Sequence, residues 1–148
     1  MSLARRQAVV SVVTWTLVLT ALVAAFLKVG AGQFCAPEQS LTRLAMAVIF
    51  LPGFIITMVI VVRARNRRHR GELDERDEAV ARRASEATLI VVVVLVYASA
   101  MALYTVHMKS GYVPAGWLYL LAYGTAGLVP LTHAAATLIL DLRGGVDA

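Results

Sequence analysis

Residues 87–108 read "ATLIVVVVLVYASAMALYTVHM", 22 consecutive positions with no charge if His107 is neutral. A hydrocarbon core about 30 Å thick needs roughly 20 apolar residues in helical form. This stretch meets that length, and its Val-rich composition suits a helix whose backbone groups are satisfied internally. Directly before it stands "DERDEAVARRASE", residues 74–86, so dense charge gives way to hydrocarbon with no turn residue between them. The two segments read as one helix that begins in water and continues into a bilayer.

Three more stretches have the same character. Gln7–Leu27 holds no charge in 21 residues, and Leu44–Val62 holds none in 19. Ser110–Leu140 is a 31-residue stretch that reads as a short loop followed by a span from about Gly116. The whole chain is 59% hydrophobic and only 16% charged, with a mean hydropathy of +0.74. A soluble domain carries about a quarter charged residues. The expected fold is therefore all-α: an integral membrane four-helix bundle forming a single domain over 1–148. Its spans are placed at about 7–27, 44–62, 87–108 and 116–140, joined across 63–86 by a charged loop.

Orientation follows from the basic residues. Arg5, Arg6, the eight arginines from Arg63 to Arg83, and Arg143 fall on one side, eleven in all. Lys28, Arg43 and Lys109 fall on the other. Basic residues are retained on the cytosolic side, so both termini and the 63–86 loop are expected there, in a multi-pass protein of the cell membrane. Arg5-Arg6 before an apolar run also resembles an export signal, but no A-x-A cleavage pattern follows, and an uncleaved first span is expected. The net charge of +5 is then mainly a topology signal. Arg63–Arg70 would meet anionic headgroups, and no direct contact with nucleic acid is expected.

Few residues offer chemistry. No Asp, Glu, Lys or Arg lies within a span, which disfavours proton-coupled export through a buried carboxylate. The intramembrane ionisable groups are His107 and His133, at depths about 15 Å apart for a 30 Å core, too far for one metal within one chain. His107 reads as interfacial and His133 as bundle-facing, hydrogen-bonded to a hydroxyl. Cys35 is the single cysteine, so neither an intrachain disulfide nor a dithiol redox pair can form. No phosphate-cradling loop and no HExxH pattern occur. The carboxylates of 72–78 lack a calcium-loop pattern and stand among competing arginines. The expectation is a protein that is not an enzyme and holds no cofactor or metal.

Other features bear on assembly. Thr16, Thr20 and Ala24 recur every fourth residue, and Ala98 with Ala102 forms a small-xxx-small pair, patterns that let helices approach closely. Pro52-Gly53 predicts a kink in the second span, and Pro130 another break in the hydrogen-bond ladder of the fourth. Trp117 and Tyr119 read as interfacial anchors of that fourth span.

The segment 72–86 has more pattern than a connector requires. Asp74, Glu75, Asp77 and Glu78 lead and Arg82 and Arg83 follow, the order that complements a helix dipole. Glu72 with Arg76 and Glu78 with Arg82 are i,i+4 pairs. Leu73, Val80, Ala84 and Ala87 form one narrow apolar stripe, which needs something to pack on.

"DERDEAVARRASEAT" before an apolar span resembles small bacterial and archaeal four-span membrane proteins of unknown function. These carry a D-E-R-D-x-x-[IV]-x-x-[KR]-A motif in the loop between two pairs of spans, matched here by Asp74, Glu75, Arg76, Asp77, Val80, Arg83 and Ala84. The resemblance implies no activity; it implies a partner-binding role for those positions, toward a cytosolic regulatory protein. The functional expectation is a non-enzymatic membrane protein that oligomerises, as a homodimer, and presents this helix to a partner. The alternative is a small oligomeric transporter or channel, with His133 and the Pro52 and Pro130 kinks in its moving elements.

Overall fold

The computed structural model describes residues 3–69 and 75–143, with the backbone alone described for residues 3, 4, 67–69 and 77. Four long helices make up the molecule: α1 (Leu3–Val29), α2 (Ser40–His69), α3 (Glu75–His107) and α4 (Ala115–Leu142). All four are long and apolar enough to cross a membrane. Each carries one predicted span and runs past it at one end or both, α3 stopping one residue short of Met108. α3, with 33 residues, is about 50 Å long at 1.5 Å per residue, well beyond a bilayer core. Within the charged 63–86 segment, α3 has begun by Glu75, the helical continuation that was expected, and α2 also continues to His69, which was not. Nothing in 63–69 or 75–86 is Pro or Gly, so no residue there stops a helix already started. Gly71, Glu72, Leu73 and Asp74, with the tail after Arg143, lie outside the described residues, as does the expected Glu72–Arg76 pair.

The helices pack in a row, in the order α2, α1, α4, α3. Among the described residues α2 and α3, neighbours in sequence, form no packed interface with each other. The core is drawn from three helices. Trp15, Val18 and Leu22 of α1 join Met46 and Phe50 of α2, covered by Tyr119, Leu120, Tyr123 and Leu131 of α4. α3 supplies none of these residues and lies along the outer side of α4.

Trp15 centres the core and is fully buried. Its ring meets Phe50 and Phe54 edge-on at 5.8 and 5.4 Å, an arrangement the ring quadrupoles favour. Its indole Nε1–H donates to Thr57 Oγ1 at 2.9 Å, and that hydroxyl donates to the Gly53 carbonyl, also at 2.9 Å. Two glycines make room for it. A Cβ on Gly53 would stand 3.1 Å from the Trp15 ring, and one on Gly127 would stand 2.7 Å from Leu19 Cδ2 and 3.2 Å from the ring. Gly53 thus has a packing reason beyond bending the helix, and α2 runs unbroken through Pro52 as α4 does through Pro130.

From Trp15 the aromatic contacts run on toward the end of the molecule that carries the 30–39 and 108–114 connections, here termed the loop face. Phe50 touches Tyr123 at 5.0 Å, Tyr123 stacks on Tyr119 at 4.3 Å, and Tyr119 meets Phe34 at 5.0 Å. Phe34 and Trp117 both contact Phe26. Every aromatic residue of α1, α2, α4 and the first connection belongs to this ladder. Trp117 and Tyr119, expected as interfacial anchors, are therefore packing residues as well. Tyr97, Tyr104 and Tyr112, in α3 and just after it, are exposed. The first connection is tied down by Arg43, whose Nη1 donates to the carbonyls of Phe34 and Ala36 at 2.9 and 2.7 Å. Gly30, at φ 81°, closes α1 with its N–H on the Phe26 carbonyl, a left-handed residue that only glycine adopts without strain. Gly116 lies so near this turn that a Cβ would run into the Ala31 carbonyl oxygen.

Trp15→Ala should destabilise the protein by about 3–5 kcal/mol, as truncation of a buried aromatic does. Trp15→Phe should cost less, its lost hydrogen bond being worth about 1 kcal/mol. Reversible denaturation in mixed micelles measures both, and equal losses would contradict the packing role given to the Trp15 ring. At Gly116 the obstacle is backbone, so Gly116→Ala should lower the midpoint of thermal unfolding by several degrees. Gly32→Ala, where a Cβ meets nothing within 4 Å, should leave that midpoint unchanged.

Candidate functional site: the charged extension of α3 and the groove beside it

The first three turns of α3 carry the charged segment. Glu75, Arg76, Glu78, Arg82 and Arg83 are exposed, whereas Val80 is half-buried and Ala84 is fully buried. One turn further on, Thr88 is buried too, and its hydroxyl donates to the Ala84 carbonyl at 2.6 Å. α4 is the helix that packs along α3, so the stripe of half-buried Val80 with buried Ala84 and Thr88 is assigned to that interface. The partner of the predicted apolar stripe is thus within the chain. Thr88 was missed in the sequence because a hydroxyl reads as polar, yet bonded back to the i−4 carbonyl it packs as a small apolar side chain.

This seat fixes what the extension displays. Ala84 is fully buried, and the charged residues stand on the remaining, exposed faces. Arg82 Nε donates to Glu86 Oε1 at 3.1 Å, an exposed i,i+4 pair that contributes little to stability but holds the guanidinium along the helix. Ser85 likewise turns its hydroxyl to the Ala81 carbonyl. Of the residues matching the sequence motif, Glu75, Arg76, Val80, Arg83 and Ala84 share this extension. Asp77 is on the same helix, and Asp74 lies outside the described residues.

The histidines fall apart from this surface and from each other. His107 ends α3 at the loop face, and its Nδ1 lies 3.1 Å from the Leu103 carbonyl. His133 is half-buried in α4, six residues C-terminal to Gly127. Its ring makes no hydrogen bond to the described residues, in place of the expected hydroxyl partner; the nearby Thr137 hydroxyl bonds the His133 carbonyl instead. Cys35 is exposed in the first connection. Among the described residues no three of His, Cys, Asp and Glu converge as a metal site would require.

One further concavity lies toward the loop face, where α1 and α3 diverge on either side of α4. α4 is its floor, with Gly124 and Thr125, and α1 and α3 are its walls. The volume is about 570 Å³, within the range of roughly 300–1,000 Å³ usual for small-molecule sites. Nothing in the sequence marked it, because it exists only where three helices meet.

The row of helices and these two surfaces define an all-helical protein with four helices long and apolar enough to cross a membrane. No family model matches the chain, and neither a curated protein nor a solved structure shows significant similarity to it.

If Ala84 is the seat of the extension, Ala84→Leu should lift α3 from α4. Overpacking of this kind costs about 1–3 kcal/mol, so hydrogen exchange of the amides in 78–90 should quicken about tenfold. Ala81→Leu, on the exposed face, should leave exchange unchanged.

Proposed function

We propose that this chain is a non-enzymatic membrane protein whose charged α3 extension is a docking surface for a cytosolic regulatory protein. The observation that carries the reading is the burial of Ala84 and Thr88 beneath exposed charges on both sides. A mere connector has no reason to continue a span as a straight helix and clamp it to a neighbouring one. Held in that way, Glu75, Arg76 and Arg83 form a fixed pattern of opposite charges, which suits recognition because little side-chain and backbone freedom is lost on binding. The motif shared with small four-span prokaryotic proteins falls on the same residues. In this reading the termini and the extension face the cytosol, and the arginines that end α2 meet anionic headgroups.

Assembly as a homodimer belongs to the same proposal. Thr16, Thr20 and Ala24 on α1 and Ala98 and Ala102 on α3 are all exposed, so neither small-residue row is used within one chain. The packing of Gly53 against Trp15 weighs against the transporter alternative, since a hinge filled by an indole ring is poorly placed to move.

The test uses the full chain in nanodiscs. With Cys35→Ser as background, Ala98→Cys should form a disulfide-linked dimer, whereas Tyr97→Cys, on a different face, should form less of it. In cells, Glu75→Gln with Arg76→Gln and Arg83→Gln should remove the cross-links that a photoreactive group at Ala79 makes to other proteins. A chain that stays monomeric by light scattering and keeps the same cross-links after neutralisation would refute the proposal.

A further inference from the structure

The groove between α1 and α3 is apolar almost throughout: Leu19, Leu22 and Val23 line one wall, and Leu95, Leu103 and Val106 the other. It opens sideways, between helices whose outer faces are themselves exposed and apolar, so whatever enters it comes from the bilayer. Along α3 it extends from Leu95 to His107, 12 residues, or about 18 Å at 1.5 Å per residue. Half of a hydrocarbon core is about 15 Å. The groove is therefore one leaflet deep, and it ends at the loop face.

Its open end is polar and positive. His107 lines it, and the Leu103 carbonyl can only accept, so Nδ1 is the donor and the ring adds polarity to this end, while the positive charge comes from the lysine beside it. Lys109 follows two residues later in the turn after α3 and is exposed. Across residues 28–44 and 107–117 the single carboxylate is Glu38, which belongs to the other connection. A long apolar slot with a basic rim at headgroup level complements an amphiphile with a negative head.

We propose that this groove is a binding site for an anionic phospholipid of the leaflet at the loop face. One acyl chain lies over Gly124 between α1 and α3, and the phosphate reaches Lys109. A small-residue floor is what such a site needs: a Cβ on Gly124 would meet nothing within 4 Å, so the space above it belongs to the ligand. The proposal is independent of the charged extension, which lies at the opposite end of α3.

Native mass spectrometry of the full chain, equilibrated with mixed micelles of phosphatidylglycerol or phosphatidylcholine, provides the test. The wild type should retain one phosphatidylglycerol per chain, several-fold more persistently than phosphatidylcholine. Gly124→Leu should abolish that retention while thermal unfolding in lipid-free detergent stays unchanged. Ser99→Leu, which narrows the groove from the α3 wall, should do the same and serves if Gly124→Leu misfolds. Lys109→Ala should keep a bound lipid but bring the two headgroups to parity. Equal retention by the wild type and both groove-filling variants would overturn the proposal. So would a loss of dimer in those variants with lipid retention unaltered, because a second copy would then occupy the groove.

Discussion

The indole of Trp15 is the constraint from which the rest of the packing follows. Within a bilayer its N–H has no water to turn to, and an unsatisfied donor there is costly. Thr57 on α2 receives it and passes the bond to the Gly53 carbonyl, so a large aromatic group sits at the centre of the molecule with its polar atom satisfied. The volume of the ring then dictates its neighbours. Gly53 and Gly127 occur where a methyl group would crowd Trp15 or Leu19, and Phe50 and Phe54 fill the ring edges. Between helices in lipid, where apolar surface alone gives no preference for association, such close fit and satisfied hydrogen bonding are what select one arrangement.

A consequence is that stability and display are assigned to different helices. α1, α2 and α4 share the aromatic ladder, and Arg43 closes its loop-face end by bonding two carbonyls of the first connection. α3 has no ring in that ladder. It is held along α4 and seated at its charged end by Ala84 and Thr88. This leaves most of its circumference to lipid, to a second copy or to a partner. It also opens the groove against α1, since a helix resting on α4 alone need not follow α1 closely. The proposed docking surface and the proposed lipid site both arise from this one asymmetry.

The sequence features differ in how far they could be read. The apolar stripe of 73–87 was legible as an unmet demand for packing, because period and polarity belong to the chain itself. Its partner was not, and Thr88, one residue past it, was hidden by a hydroxyl whose bond to the Ala84 carbonyl exists only in the helix. Pro52-Gly53 invited a reading as a kink. Only the position of Trp15, 38 residues earlier, gives Gly53 its packing reason. Gly124 and Gly127 look alike in the sequence, yet the first faces open space and the second faces Leu19.

Membrane-spanning character was determined by the chain alone. Four uncharged stretches of about 20 residues have one low-energy solution in a bilayer, and helix formation there is local. The clustering of arginines and the continuity of charge into the third apolar run are equally local, which is why the extension of α3 could be anticipated. Which helix touches which was left to the tertiary structure. Apolar helices are all alike to lipid, so their order in the row depends on shape: an indole between two glycines, a buried alanine on α3, a carbonyl above Gly116. Those fits join residues far apart in sequence, and no period or spacing records them.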